Sequence, residues 1–509
     1  MNPSLLADYL SGDDDPRSNP AAVAYYAALD NVASVSPPVA QAIVHELRDQ
    51  RSNVKFIASE NYASLATQLA LGNLLTDKYA EGYSGHRFYS GCDNVDVIED
   101  QATSAARELF NADHAYVQPH SGADANLVAF LAVLSVKAQQ PFMEEMGEKD
   151  PSKMRHDQWE KVRQAFLGQT MLAMDYYAGG HLTHGYRHNV SSMLFDARSY
   201  GVDSETGLLD LDEVRKIALE CRPLLIVAGY SAYPRKINFA KFREIADEVG
   251  AVLMVDMAHF AGLVAGQVFE GDFNPVPHAH IVTSTTHKTL RGPRGGIVLC
   301  QKEFAEWIDK GCPIVLGGPL PHCMAAKAIA LREAARVEFR DYAAKIVENA
   351  QAFAEALISE DIRVATNGTD NHIILVDVQT SFGITGRQAE AALRECGLTL
   401  NRNSLPGDPN GPWYTSGLRF GTPATTTLGM GPDEMREFAK IVRSVLASVK
   451  QKEITKGSKA GQISKAKYSL DATAAEDARQ RVSKILQQYP IYPELDLDRM
   501  LNWCSGIGE

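Results

Sequence analysis

Residues 223–257 read PLLIVAGYSAYPRKINFAKFREIADEVGAVLMVDM. PLLIVAG (223–229) and AVLMVDM (251–257) are apolar runs of strand length. FAKFREIADEVG (239–250), between them, is amphipathic and ends on glycine, a helix stop signal. A strand, a helix and a second strand at this spacing predict a parallel pair with a crossover helix. MLAMDYY (171–177), HIVTST (280–285) and the shorter HAYVQ (114–118) extend the pattern. The helical stretch 94–112 sets Val95, Ile98, Ala102, Ala105 and Leu109 on one face. The expected fold class is α/β, with a mostly parallel sheet covered on both faces. Ligands of such sheets sit at the carboxyl ends of the strands.

The alternation changes after about residue 335. NHIILVDV (371–378), a helix over 385–397, SGLRFGT (416–422) and a helix from Pro432 to Val449 predict a smaller α+β domain. The expected organisation is an N-terminal arm (1–55), a large domain (56–335) and a small C-terminal domain (336–509). Residues 136–168 are highly charged and read as an inserted, exposed helical segment, and 456–467 as a flexible loop.

The 509 residues carry a net charge of −13, which argues against nucleic-acid binding and against docking on an anionic membrane. The seven cysteines are odd in number and lack C-x-x-C spacing, so no disulfide frame or zinc site is expected, and no metal. No run is long and apolar enough to span a bilayer, and the first residues resemble neither a signal nor a transit peptide. The expected location is the cytoplasm.

The chemistry gathers around STTHKTLRGPRGG (284–296), where Lys288 follows a Ser/Thr-rich strand and precedes a glycine-rich loop. A strand-end lysine is ordinarily a solvated residue. Three neighbours argue for more. AVLMVDMAH delivers Asp256 and then His259 from a buried strand, and a buried carboxylate needs a partner. That partner is a backbone N–H, an arginine, or the protonated ring nitrogen of pyridoxal phosphate. In QPHSGAD, Ser121 and Gly122 open a helix, either as an N-cap or as a phosphate site. Lys288 itself has small hydroxyl and glycine flanks that leave room for an aldehyde; the competing reading is a phosphate contact, without a P-loop pattern.

With IASENY, KYAEGYSGHRFYSG, VQPHSGADAN, GGHLTHG, VDMAHFAGLVA, TTHKTLRGPRGG, TDNHIILVD and SGLRFGTPA, the sequence resembles the serine hydroxymethyltransferases from about Phe56 to Tyr492, the 136–168 insertion apart. The resemblance implies a large domain of the aspartate-aminotransferase type and a homodimer or dimer of dimers. It also implies pyridoxal phosphate as cofactor and tetrahydrofolate as co-substrate, with serine, glycine and folate as its small-molecule partners. The implied reaction passes the serine hydroxymethyl carbon to tetrahydrofolate, giving glycine and 5,10-methylene-tetrahydrofolate.

Residue by residue, the resemblance makes Lys288 the covalent anchor of the cofactor and Asp256 the partner of its ring nitrogen. His181 stacks on the ring; His259 and Ser231 lie near its phenolic oxygen. Ser121, Gly122 and His287 contribute to cofactor binding, Thr285 to catalysis. Gly318 and Tyr79 reach the cofactor across a subunit interface, from which Glu81 and Tyr89 also act. Arg419 holds the substrate carboxylate and Ser59 touches the substrate. Glu81 is the acid–base group near the serine hydroxyl and folate. Tyr176, Gly180, Leu182, Asn403 and Trp413 fall where the family holds folate. Ala123 stands where the family usually has serine, Leu316 where it has glutamine, and Tyr176 where it has leucine. The alternatives are another enzyme of the same fold, such as a threonine aldolase, and a non-catalytic scaffold. Glu81, GGHLTHG and Asn403 favour the folate enzyme over the first; Lys288, Asp256, Glu81 and Arg419 argue against the second.

Overall fold

The computed structural model describes residues 4–12, 19–148, 150–457 and 460–507. Its centre is a sheet of seven strands in the order His114–Tyr116, Gly296–Cys300, Ile281–Thr285, Val252–Asp256, Leu225–Gly229, Thr170–Met174 and Asp196–Tyr200. All neighbours pair in parallel except Gly296–Cys300, which is antiparallel to both of its neighbours. The sheet is therefore mostly parallel, as expected. The strand pattern had not marked Gly296–Cys300 and Asp196–Tyr200. The latter is an edge strand with mostly exposed side chains, so it lacks the apolar run of a central strand.

Leu225–Gly229, Val252–Asp256 and Ile281–Thr285 are buried along their whole length. Apolar clusters on both sides of the sheet explain why these strands read as continuous apolar runs. The crossover helix Phe239–Val249 is capped by the Asn238 side chain, which accepts from Lys241 N, and stops at Gly250, whose φ of 74° a glycine adopts without strain. It buries Phe239, Phe242, Ile245 and Ala246. Each of its large apolar side chains contributes roughly 1.5–3 kcal/mol by leaving water.

In the C-terminal part, Ile373–Asp377, Gly417–Gly421 and Asn401–Asn403 form an antiparallel sheet. Helices Val337–Ser359, Gly386–Glu395 and Pro432–Ala447 share one apolar cluster with it. Val54 and Phe56 belong to that cluster, and Val54–Lys55 pairs in parallel with Leu398–Thr399. The N-terminal segment consists of helices Leu5–Ser11, Pro20–Val35 and Pro37–Ser52, packed with the C-terminal helix Leu497–Gly506.

Two local expectations are corrected. The 136–168 segment is helical over Gln140–Glu145 and His156–Leu167, but it is not wholly exposed. Met143 and Val162 are buried, because even a charged segment needs an apolar stripe to dock. The loop expected over 456–467 is in part a strand: Ile463–Ser469 pairs with Lys450–Glu453. Residues 458 and 459 lie outside the described residues.

Candidate active site

A cleft of about 540 Å³ opens at the carboxyl ends of the central strands. Each strand delivers a side chain or a loop to it. Asp256 is the last residue of Val252–Asp256, and Thr285 the last of Ile281–Thr285, with His287 and Lys288 just beyond. The turn after Leu225–Gly229 brings Ser231, and the loop after Thr170–Met174 brings Tyr176, Gly180, His181 and Leu182. Ser121 and Gly122 follow the His114–Tyr116 strand, and Ser59, His259, Asn403 and Arg419 complete the expected residues that line the cleft.

Asp256 Oδ2 accepts from Asn126 Nδ2 at 2.9 Å and lies 3.2 Å from His184 Nε2, while Oδ1 accepts from Ala258 N at 3.0 Å. Burial alone would raise this carboxyl. Hydrogen bonding and charge from His184, charge from His181 and the Asn126 bond outweigh it and hold Asp256 well below the usual carboxylate range. Asn126 in turn accepts from Thr283 Oγ1 at 2.6 Å and donates to Thr183 Oγ1 at 2.7 Å. Thr183 Oγ1 lies 2.7 Å from His181 Nδ1, so one chain of hydrogen bonds orients both the carboxylate and the imidazole. Burial lowers His181 to about 4, which leaves a neutral ring at neutral pH. His181, His184 and Asp256 bring ligand-type atoms within 4.8 Å of one another, and the hydrogen bonds above are what they make.

Lys288 is 8% exposed and makes no ion pair among the described residues. Burial lowers its pKa to about 8; Asp256 opposes that shift, and Arg419 and Arg294 add to it. Arg419 donates from Nη1 to the Ser231 carbonyl at 2.6 Å and from Nε to Asn401 Oδ1 at 3.0 Å. Burial lowers it to about 10, so it stays cationic at neutral pH. No carboxylate accepts from it among the described residues, so it is free to pair with an anionic substrate. His259 is 3.3 Å from His372 Nε2 through Nδ1, and burial first, then the charges of Lys288 and Arg419, keep it neutral.

Ser121 caps the helix Gly122–Leu134, accepting from Asp124 N at 3.1 Å. A Cβ on Gly122 would come within 2.7 Å of Thr285 Cγ2, so the helix start and the strand end meet too closely for a side chain. His287 Nδ1 is buried without a hydrogen-bond partner, and burial lowers this ring to about 3. The group of donors fits pyridoxal phosphate. It offers a helix N-terminus for the phosphate, a buried carboxylate for the ring nitrogen, a buried lysine for the aldehyde and an orphaned imidazole nitrogen in the same cleft.

Five expected residues lie outside this cleft. Tyr79 and Tyr89 are 53% and 51% exposed, with ring centroids 5.1 Å apart. Gly318 sits against the Tyr79 ring, 2.9 Å from where its Cβ would stand. Glu81 opens the Gly82–Tyr83 and His86–Arg87 hairpin, and its carbonyl accepts from Phe88 N at 3.0 Å. Trp413 is exposed, with the guanidinium groups of Arg387 and Arg402 5.1 and 5.3 Å from its ring centroid. Leu316 is buried and Ala123 lines the cleft.

Sequence reasoning missed Asn126, His184, His372, Arg294 and Asn401. The first four fell within the motifs VQPHSGADAN, GGHLTHG, TDNHIILVD and TTHKTLRGPRGG, but nothing in their spacing tells which side chain turns inward. The Arg87–Glu99 pair was missed too. Glu99 is buried in the helix Asp93–Phe110, bonds Arg87 and accepts from Gln118 Nε2 at 2.9 Å.

The family model described as serine hydroxymethyltransferase matches residues 32–145 and 158–442. A serine hydroxymethyltransferase of Treponema pallidum is 56% identical over 496 residues, covering 97% of this chain and 86% of that protein. One from Cutibacterium acnes is 54% identical over 476 residues, 94% of this chain and 96% of its own. One from Chlamydia trachomatis serovar D is 49% identical over 500 residues, 98% of this chain and 100% of its own. The family match is interrupted over 146–157, within the charged segment.

Proposed function

The chain belongs to the serine hydroxymethyltransferase family, and from that premise we propose how its residues divide the family's reaction. The enzyme interconverts serine and glycine, with pyridoxal phosphate as cofactor and tetrahydrofolate as co-substrate that takes up the one-carbon unit. When bound, the cofactor's protonated ring withdraws the electron pair left by Cα–Cβ cleavage.

Lys288 would hold the cofactor covalently through its Nζ, and as a free amine it would stand beside the substrate. Asp256 keeps the ring nitrogen protonated. Asn126 and His184 keep Asp256 ionised and aimed. His181, a neutral imidazole, would lie against the ring. Ser121, Gly122 and His287 hold the phosphate side, and His259 and Ser231 face the phenolic oxygen. Thr285 supports the ring. Arg419 takes the serine carboxylate with its planar fork, and Ser59 contributes a second substrate contact. Tyr176, Gly180, Leu182, Asn403 and Trp413 receive the folate. Glu81 handles the proton of the departing hydroxymethyl group.

The active form is read as a homodimer or dimer of dimers, in which Tyr79, Glu81, Tyr89 and Gly318 serve the cleft of the other subunit. Their clustering outside the chain's own cleft supports this. No described helix is long and apolar enough to cross a membrane; the cytoplasm is the proposed location. The proposed units are the arm 1–55, the large domain 56–335 and the small domain 336–509.

The observation that carries the assignment is a buried lysine and a buried carboxylate at neighbouring strand ends, in one cleft with a cationic Arg419. The purified protein should show a visible absorbance band that borohydride abolishes, and should convert serine to glycine only when tetrahydrofolate is present. A colourless protein with no borohydride effect would refute it.

A further inference from the structure

The mechanism leaves one buried cation unused. Lys327 lies in the helix Pro321–Ala334 and is 1% exposed. Its Nζ donates to three backbone carbonyls: Val117 at 2.6 Å, Pro119 at 2.8 Å and Gly296 at 3.0 Å. Among the described residues no carboxylate accepts from it, and Glu99 and Asp124 act on it by charge without a hydrogen bond. Burying an ammonium with no directly paired carboxylate is costly, and burial lowers this one to about 7. An apolar side chain would fill the space without that cost, so the charge needs a reason.

The three acceptors supply one. Val117 and Pro119 lead directly into Ser121 and Gly122, the start of the helix proposed to take the phosphate. Gly296 begins the antiparallel strand, and its N–H donates to the Pro119 carbonyl at 2.9 Å. A Cβ on Gly296 would stand 2.3 Å from the Ser121 carbonyl, and one on Gly295 2.4 Å from Lys327 Cε. Strand, loop and lysine are thus packed at backbone contact. The charge of Lys327 also reaches His287, in the cleft, and His120, beside Ser121.

We propose that Lys327 is a positioning residue for the cofactor phosphate: it staples the root of the Pro119–Gly122 loop to the Gly296 strand and sets a carbonyl-bound positive charge behind the loop. This rests on the reading of the cleft as a pyridoxal-phosphate site. A phosphate dianion gains from such a charge; the dephosphorylated cofactor does not. At an effective dielectric of about 20, one charge acting over roughly 10 Å corresponds to a preference of about tenfold or more.

The test measures the affinities of the apoprotein for pyridoxal phosphate and for pyridoxal. The parent's binding of pyridoxal phosphate checks the cofactor reading by itself. For Lys327→Met, which keeps the stem and removes the charge, the ratio of the two affinities should fall about tenfold. Lys327→Gln, which keeps donors without charge, should recover only part of it. Equal losses on both ligands, or no loss on either, would overturn the proposal. If neither variant yields folded protein even when expressed with pyridoxal phosphate, Lys327 is a requirement of the fold and the proposal is likewise overturned.

Discussion

The depressed basicity of Lys288 should be visible as curvature in the pH dependence of cofactor capture. Only the neutral amine attacks an aldehyde. Lys288 is held at about 8, by burial first and then by the charges of Arg419 and Arg294, against the partial opposition of Asp256. Roughly a tenth of it is therefore neutral at pH 7, about half at pH 8 and about nine-tenths at pH 9. The rate constant for capture of pyridoxal phosphate by the apoprotein should rise about fivefold from pH 7 to 8 and only about twofold from pH 8 to 9. A lysine of ordinary basicity would give about tenfold in each step. Lys327, at about 7, also titrates here, so the series is run in parallel on Lys327→Met; the lowered histidines of the cleft are quiet in this range. His181 and His287 are neutral, at about 4 and about 3, and the phosphate completes its second ionisation near pH 6. The assay is stopped-flow absorbance of the visible band, with Lys288→Ala as the blank. Asp256→Asn removes the charge that raises Lys288, so its plateau should move to lower pH. A tenfold rise per unit continuing through pH 9 would refute the argument from burial.

Arg419→Lys keeps a cation but loses the two-pronged geometry, so serine affinity should fall roughly tenfold or more and not recover with excess cofactor; an unchanged affinity by difference spectroscopy would remove Arg419 from the site. Glu81→Gln should leave cofactor and glycine binding intact and slow folate-dependent cleavage of serine by about 10²–10⁴-fold. Folate-free cleavage of allo-threonine should suffer less, and equal losses on the two substrates would assign Glu81 to a shared step or to the fold. Lys288→Ala and Glu81→Gln subunits, each inactive, should regain activity when mixed, with one intact site per hybrid dimer; proven hybrids without activity would put both residues in one chain's cleft.

The sequence by itself determined the class of fold and the strand ends, because an apolar strand buried on both faces leaves a continuous run such as LIVAG or VLMVD, and a crossover helix leaves its own period. It also marked the candidate reactive groups, since a lysine and an aspartate at strand ends and an arginine within a strand carry their chemistry with them. It did not determine the Gly296–Cys300 reversal or the exposed edge strand, whose residues look alike whichever way the chain runs. Nor did it show that Asn126 and His184 support Asp256, that His372 lies against His259, or that Lys327 turns inward to three carbonyls. Those facts depend on contacts between residues tens to more than two hundred positions apart. Only the tertiary structure decides them, because a polar side chain's partner is set by where distant strands and loops end in space, and not by its neighbours along the chain.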